Sequence, residues 1–234
     1  MSRKQIFIAA GIAVAVVLAA GGWFFFIHSR ADAPAVALSG QGFEVTTSDR
    51  TIGDPKAKLV LIEYAAPICP HCARFSANVF PQVKKNYIDT GKVLYVFRVF
   101  PLAAADGAAE KLARCVPRGR YFEVIDLLFR NQPLWDPEYG EQTAALQTPE
   151  GVHAGLIKIA AMAGLSAAEA DKCMNSSADD ERINKVGMEA QSRYNINSTP
   201  SFVLDGALLQ PPYMTEWSYD DIAKALDSAL AGKH

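Results

Sequence analysis

The sequence has almost no excess of charge of either sign. Its 23 lysines and arginines stand against 25 aspartates and glutamates, a net charge of −2. No basic stripe or arginine-rich run accompanies that balance. Nucleic acid is therefore not an expected ligand, because a phosphate backbone calls for concentrated positive charge. Internal repeats and long low-complexity tracts are also missing, so the 234 residues read as one large domain or as a small domain with an insertion. Cysteine and histidine are scarce, at four each. The cysteines, Cys69, Cys72, Cys115 and Cys173, fall into one tight pair and one distant pair.

Apolar residues are abundant but unevenly spread. Ile6–Ile27 is a run of 22 residues without a charge. As a helix it would reach roughly 33 Å, slightly more than a hydrocarbon core of about 30 Å. Arg3 and Lys4 precede it, and Trp23 with Phe24, Phe25 and Phe26 lie near its far end. Basic residues favour the cytoplasmic side and aromatics the opposite interface. The run reads as a transmembrane signal anchor that exports everything after about residue 30. A cleaved signal peptide, for which Ala31-Asp32-Ala33 offers a site, is the alternative; a buried core helix is a third reading. In an oxidising compartment, an even number of cysteines points to pairing.

Beyond the anchor, residues 28–42 read as a tether. Gly53-Asp54-Pro55 is a turn signal. Lys58–Ala65 reads as a strand apolar on both faces, suited to the centre of a covered sheet. A helical stretch follows from about 70 to 87, and Lys92–Phe100 is a second strand, stopped by Pro101. Strand, helix and strand in this order predict a parallel pair joined by a crossover. The middle third changes to helical spacing over roughly 103–116, 119–131, 150–163, 167–174 and 179–194. A strand over 198–206, another over 207–210 and a helix over 219–231 capped by Ser218 close the chain. The aromatic and Met side chains of the helical part (Tyr121, Phe122, Phe129, Trp135, Met162, Met174, Met188) read as core packing rather than as a substrate groove.

Cys69-Pro70-His71-Cys72 stands directly after the first long strand, where a helix begins. With Cys69 at the N-cap and Pro70 at the first helical position, the missing proline N–H costs nothing. Cys72 then lies one turn in, facing the protein, and Cys69 sits at the rim beside unpaired N–H groups and the positive end of the helix dipole. Those groups favour a thiolate, and His71, protonated or donating an N–H, favours it further. A stabilised thiolate makes the pair an oxidant and Cys69 a good leaving group. Two other readings are weaker. A zinc site needs two more ligands, which the spacing does not supply, so no metal is expected. A purely structural small disulfide does not explain the position between a buried strand and a helix. Nothing in the sequence calls for a bound cofactor.

Glu63, six residues before Cys69, puts a charge in the middle of an apolar strand. It is either a buried acid that relays protons to Cys72, or a carboxylate that reaches the surface or pairs with a lysine. Thr199-Pro200 precedes a strand; on general grounds a cis X-Pro bond there is the minority case.

Taken together, Gly53-Asp54-Pro55, Leu61-Ile62-Glu63-Tyr64, Cys69-Pro70-His71-Cys72 and the late Thr199-Pro200-Ser201-Phe202-Val203 resemble the DsbA-like thiol:disulfide oxidoreductases of the thioredoxin superfamily. The resemblance covers about residues 43–232. It implies an α/β thioredoxin-like fold whose parts, 43–101 and 196–234, flank an inserted helical subdomain, 102–195. Residues 1–5 would lie in the cytoplasm, with 6–27 as the membrane anchor. It further implies Cys69 as the exposed nucleophile and Cys72 as the buried resolving cysteine. Pro200 is then expected cis across the sulfurs, the Thr199 backbone holds substrate, and Glu63 matches the buried acid.

Exported proteins with free thiols become the expected substrates, a membrane quinone-linked oxidase the expected partner, and the chain is expected to act as a monomer. Cys115 and Cys173, as in some members of the family, are expected to form a structural disulfide; separate buried thiols are the rival. A hydroxyl residue before the proline, here Thr199, resembles several isomerases, which keeps an isomerase or reductase open. The tether leaves no room for the dimerisation domain of the dimeric isomerases, so disulfide donation leads. A non-catalytic thioredoxin-like binding module is the third alternative.

Overall fold

The computed structural model describes residues 38–40, 43–137, 144–211 and 216–233. These belong to one unit, Ala35–His234. The apolar run 6–27 lies outside the described residues. Among the described residues no helix is long and apolar enough to cross a membrane.

The long apolar runs form the strands they predict. β4 (Leu59–Ala65) and β5 (Val93–Val99) are buried at every position and pair in parallel, Leu59 opposite Val93 through Ala65 opposite Val99. β6 (Ser201–Leu204) joins the other edge of β4 antiparallel, and β7 (Ala207–Leu208) closes a hairpin with it. The hairpin turn is Asp205-Gly206, both at positive φ (47° and 89°), the conformation a two-residue hairpin demands. Strand order is β3-β5-β4-β6-β7.

β3 (Arg50–Ile52), antiparallel to β5 at the sheet edge, is absent from the sequence reading. So is the ribbon of β1 (Leu38–Gly40) and β2 (Phe43–Val45), whose first strand falls inside the stretch read as tether. Three-residue strands are too short to display an alternation. Gly53 (φ 111°) ends β3; a side chain there would meet the Val93 carbonyl at 2.6 Å, so the chain needs glycine for this close turn.

Alternation sorts the core. Leu59, Leu61, Tyr95, Phe97 and Phe202 face one side of the sheet, while Val60, Ile62, Tyr64, Val96 and Val203 face the other. The first side is covered by α1 (Pro70–Asn78) and by the helices of the insertion: α3 (Ala104–Arg114), α4 (Tyr121–Arg130), α6 (Pro149–Met162) and α7 (Ala167–Met174). α9 (Tyr219–Ala231) covers that side too. The second side is covered by α8 (Asp180–Tyr194), through Ala190 and Tyr194.

The expected helix over 70–87 is broken at Val79 into α1, α2 (Phe80–Val83) and a π-helical turn, Lys84–Ile88. Pro81 is the cause: it has no N–H for the preceding turn but fits the first turn of a new helix. Pro133 likewise sits in the first turn of the short α5 (Gln132–Trp135). Gly155 of α6 lets that helix lie on α5, because a Cβ there would stand 2.3 Å from the Leu134 carbonyl. Ser166 and Ser218 cap α7 and α9, each with a carboxylate returning the bond from Glu169 and Asp221. Of the aromatic and Met residues assigned to packing, Tyr121, Phe129, Trp135 and Met174 are buried, whereas Met162 and Met188 are exposed.

Candidate active site

β4 delivers the chain to the end of the sheet, where the turn Ala66–Cys69 leads into α1. Cys69 is the N-cap in extended conformation and Pro70 opens the helix. Two buried polar side chains from the insertion hold this turn. Asp106 Oδ1 accepts from Ile68 N at 2.9 Å, while its other oxygen accepts from Leu102 N and Ala103 N. Gln132 Nε2 donates to the carbonyls of Pro67 (2.7 Å) and Cys69 (3.2 Å). Burial lifts the Asp106 carboxyl to about 6 against its three backbone N–H bonds, with the negative charge of Cys69 adding to the rise.

Cys69 and Cys72 are both unbonded thiols. Cys72 is completely buried. Cys69, expected at an open rim, is only 6 % exposed. The Thr199-Pro200 turn accounts for the difference. The peptide bond between them is cis, and the Thr199 carbonyl lies 3.4 Å from Cys69 Sγ, which donates to it while protonated. Trp217 Nε1 in turn donates to the Pro200 carbonyl at 3.1 Å.

The two thiols are pulled apart electrostatically. Cys69 is brought down to about 5, first by the hydrogen bond from the Cys72 thiol, which works against burial. The Thr199 hydroxyl and the backbone N–H groups of Cys72 and His71 at the open helix end act in the same direction. Cys72 is pushed well above its ordinary range by burial, by its bond to Cys69, and by the charges of Cys69 and Glu63.

His71 favours the Cys69 thiolate through its backbone N–H, and Nδ1 of its ring lies 2.9 Å from Arg74 Nη2.

Glu63 is 2 % exposed and its carboxylate accepts from the Tyr95 hydroxyl. The reading that it reaches the surface or pairs with a lysine is thereby set aside. Alternation along β4 places it on the same side of the sheet as α1. Burial raises it to about 8; the Tyr95 bond lowers it and the charge on Cys69 raises it further. A cavity of about 330 Å³, walled largely by Phe80, Phe97, Phe122 and Phe129, has Glu63 and Tyr95 in its lining.

Cys115 and Cys173, remote in sequence, form a disulfide with a Cα–Cα distance of 5.9 Å, tying the end of α3 to α7. It takes no part in the cysteine site. Among the described residues no cluster of His, Cys, Asp or Glu could hold a metal ion.

Sequence reasoning missed Asp106, Gln132, Tyr95 and Trp217. Asp106 left a faint signal, an acid in the first turn of an alanine-rich helix. The other three left none, since their roles depend on which carbonyl or carboxylate the fold brings near.

Comparison with known proteins agrees with this geometry. The sequence profile of the thioredoxin family matches residues 45–228. A Rickettsia typhi protein named "Putative protein-disulfide oxidoreductase" is 31% identical over 190 residues, 80% of this chain and 64% of that protein, a little under two thirds of its length. Among solved structures, alpha-DsbA1 of Wolbachia pipientis superposes with a TM-score of 0.65 at 28% identity, covering 80% of this chain and 95% of that one. A protein-disulfide isomerase from Novosphingobium aromaticivorans gives a TM-score of 0.65 at 26% identity, covering 78% and 97%. With its cysteine pair at a helix N-terminus beside a cis-proline, and with this profile across most of its length, the chain belongs to the thioredoxin-like, DsbA-type oxidoreductase family.

Proposed function

We propose that this chain is a thiol:disulfide oxidoreductase that donates a Cys69–Cys72 disulfide to folding exported proteins. The observation that carries the reading is the placement of the two thiols, Cys69 at the N-terminus of α1 against the Thr199–cis-Pro200 turn and Cys72 completely buried, an arrangement that brings Cys69 down to about 5 and pushes Cys72 well up.

A substrate thiolate attacks Cys69 Sγ; the Cys69–Cys72 bond breaks, and its electron pair leaves on Cys72. Buried, the Cys72 thiolate needs a proton at once. Glu63, raised to about 8, still holds one at neutral pH and is the donor, with the cavity beside it as the route for replacement. A second substrate thiolate then attacks the substrate sulfur of the mixed disulfide. Cys69 departs as a thiolate, which its low pKa makes a good leaving group. The substrate is oxidised by two electrons and the cysteine pair is reduced by two. The backbone at Thr199 and cis-Pro200, lying against Cys69, holds the substrate segment in extended form.

In this reading a membrane quinone-linked oxidase restores the disulfide. Residues 6–27 hold the catalytic domain at the outer face of the cytoplasmic membrane, and the chain acts as a monomer. The name of the rickettsial relative, a protein-disulfide oxidoreductase, supports protein cysteines as the substrate class. The test is the thiol state of Cys69 and Cys72 in cells, by acid trapping and alkylation, with Cys115–Cys173 as internal control. A mostly oxidised pair is expected. A mostly reduced pair beside an intact Cys115–Cys173 bond would reverse the direction and make the chain an isomerase or reductase.

A further inference from the structure

Glu216-Trp217, just ahead of α9, contacts both α1 and the cis-proline turn. Trp217 holds the Pro200 carbonyl, as described. Glu216 Oε1 accepts from Arg74 Nε at 2.7 Å and stands 2.7 Å from Arg74 Nη2. The same Nη2 lies 2.9 Å from His71 Nδ1. A guanidinium carries only donors, so the Nδ1 lone pair accepts this bond and the ring proton resides on Nε2. Glu216 Oε1 is 3.4 Å from Nδ1, beyond ordinary hydrogen-bond length, and so it acts on the ring through Arg74.

His71 and Arg74 are three residues apart on α1, the spacing that places side chains on one helix face. That spacing brings the guanidinium within reach but does not aim it. Arg74 is nearly half exposed, and a free arginine at such a site spreads over many rotamers. Glu216, 142 residues away in sequence, supplies the aim. Together with Phe75, Pro200 and Trp217 these three side chains line a small cavity, about 60 Å³, between α1 and the cis-proline turn.

We propose that Arg74 and Glu216 are positioning residues for His71: they hold its ring as the Nε2–H tautomer, leaving Nε2–H as the only ring donor available to sulfur exchanging at Cys69. The consequence for exchange rests on the thiol chemistry proposed above, whereas the state of the ring is measured independently of it. If Nδ1 is occupied, the ring cannot switch donors during a turnover, and each substrate sulfur meets the same N–H.

The experiment uses the full chain labelled with ¹⁵N. Two-bond ¹⁵N–¹H correlation of the histidine rings at pH 8 reads the tautomer, with the His71 signals identified by their loss in His71→Asn. The wild-type ring is expected as Nε2–H. Arg74→Met and Glu216→Gln are expected to release a substantial share of the Nδ1–H form, Arg74→Met the more. Arg193→Met, which removes an exposed arginine paired with Glu189 elsewhere, leaves the ring unchanged. In a second readout, oxidation of a dithiol peptide slows about 2- to 10-fold in Arg74→Met, the effect of one lost hydrogen bond, and recovers in Arg74→Lys, whose amine still donates. An unchanged tautomer in Arg74→Met would overturn the proposal, as would equal rate losses in Arg74→Met and Arg193→Met. Inert wild-type cysteines beside an intact Nε2–H ring would instead overturn the oxidoreductase reading and leave the positioning supported.

Discussion

Glu63 is the residue whose environment departs furthest from its chemistry: a carboxyl inside a strand buried along its whole length, with one tyrosine hydroxyl for company. Its pKa rises from 4.5 to about 8 because burial penalises the charge. Between those values the folded chain keeps a proton that the unfolded chain has released, so this group's contribution to stability falls as pH rises through that window. Glu63→Gln removes the titration and keeps an acceptor for Tyr95. Urea denaturation is expected to find the variant more stable than wild type at pH 8.5, by roughly 2–4 kcal/mol, with the gap closing by pH 4.5. A gap that does not change with pH would disprove a raised Glu63 pKa. The sequence exposes Glu63 because a charge in an apolar run stands out. It does not expose what holds the His71 ring, because Glu216 is distant and looks like any surface acid.

Among the elements, those with long patterns were legible and those with short ones were not. β4 and β5 are continuous apolar runs, and the insertion helices carry three- and four-residue spacing, so both follow from the chain alone. β1, β2 and β3 have three residues each and exist because a neighbouring edge offers hydrogen bonds. The insertion adds a covalent tie between α3 and α7 through Cys115–Cys173, a separation of 58 residues. The opposite end of α3 carries Asp106, which holds the turn before Cys69. A Cys115→Ala/Cys173→Ala double variant is therefore expected to lose about 2–4 kcal/mol in chemical denaturation. The ultraviolet titration of the Cys69 thiolate should remain in place in that variant. If the titration moves by a full pH unit, the tie does more than staple helices.

For the whole molecule, the redox state and the stability of the fold are one linked quantity. In the reduced chain Cys69 titrates at about 5 instead of its ordinary 9.0. A depressed pKa contributes stability that is fully present above the ordinary value and is lost as pH falls through the lowered one. The oxidised chain has no such group. Melting temperatures of both forms, measured across pH, should thus show the reduced chain losing ground on acidification from pH 8.5 to 5, by roughly 4–8 °C relative to the oxidised chain. A difference constant over that range would remove the thiolate from Cys69, and with it the main support for disulfide donation.

The order of the long elements, the site of the reactive pair and the position of an anomalous acid follow from local pattern: apolar runs, a proline at a helix start, a charge out of place. Those features are properties of neighbours in the chain, and the chain displays them directly. Tertiary structure alone decided how far Cys69 is covered, which part of Thr199 meets it, and which groups hold the turn and the His71 ring. Each of these depends on hydrogen bonds across separations from 38 residues, between Ile68 and Asp106, to 142, between Arg74 and Glu216. Such bonds reach only about 3 Å, so they form only after the sheet and the insertion have brought their partners together.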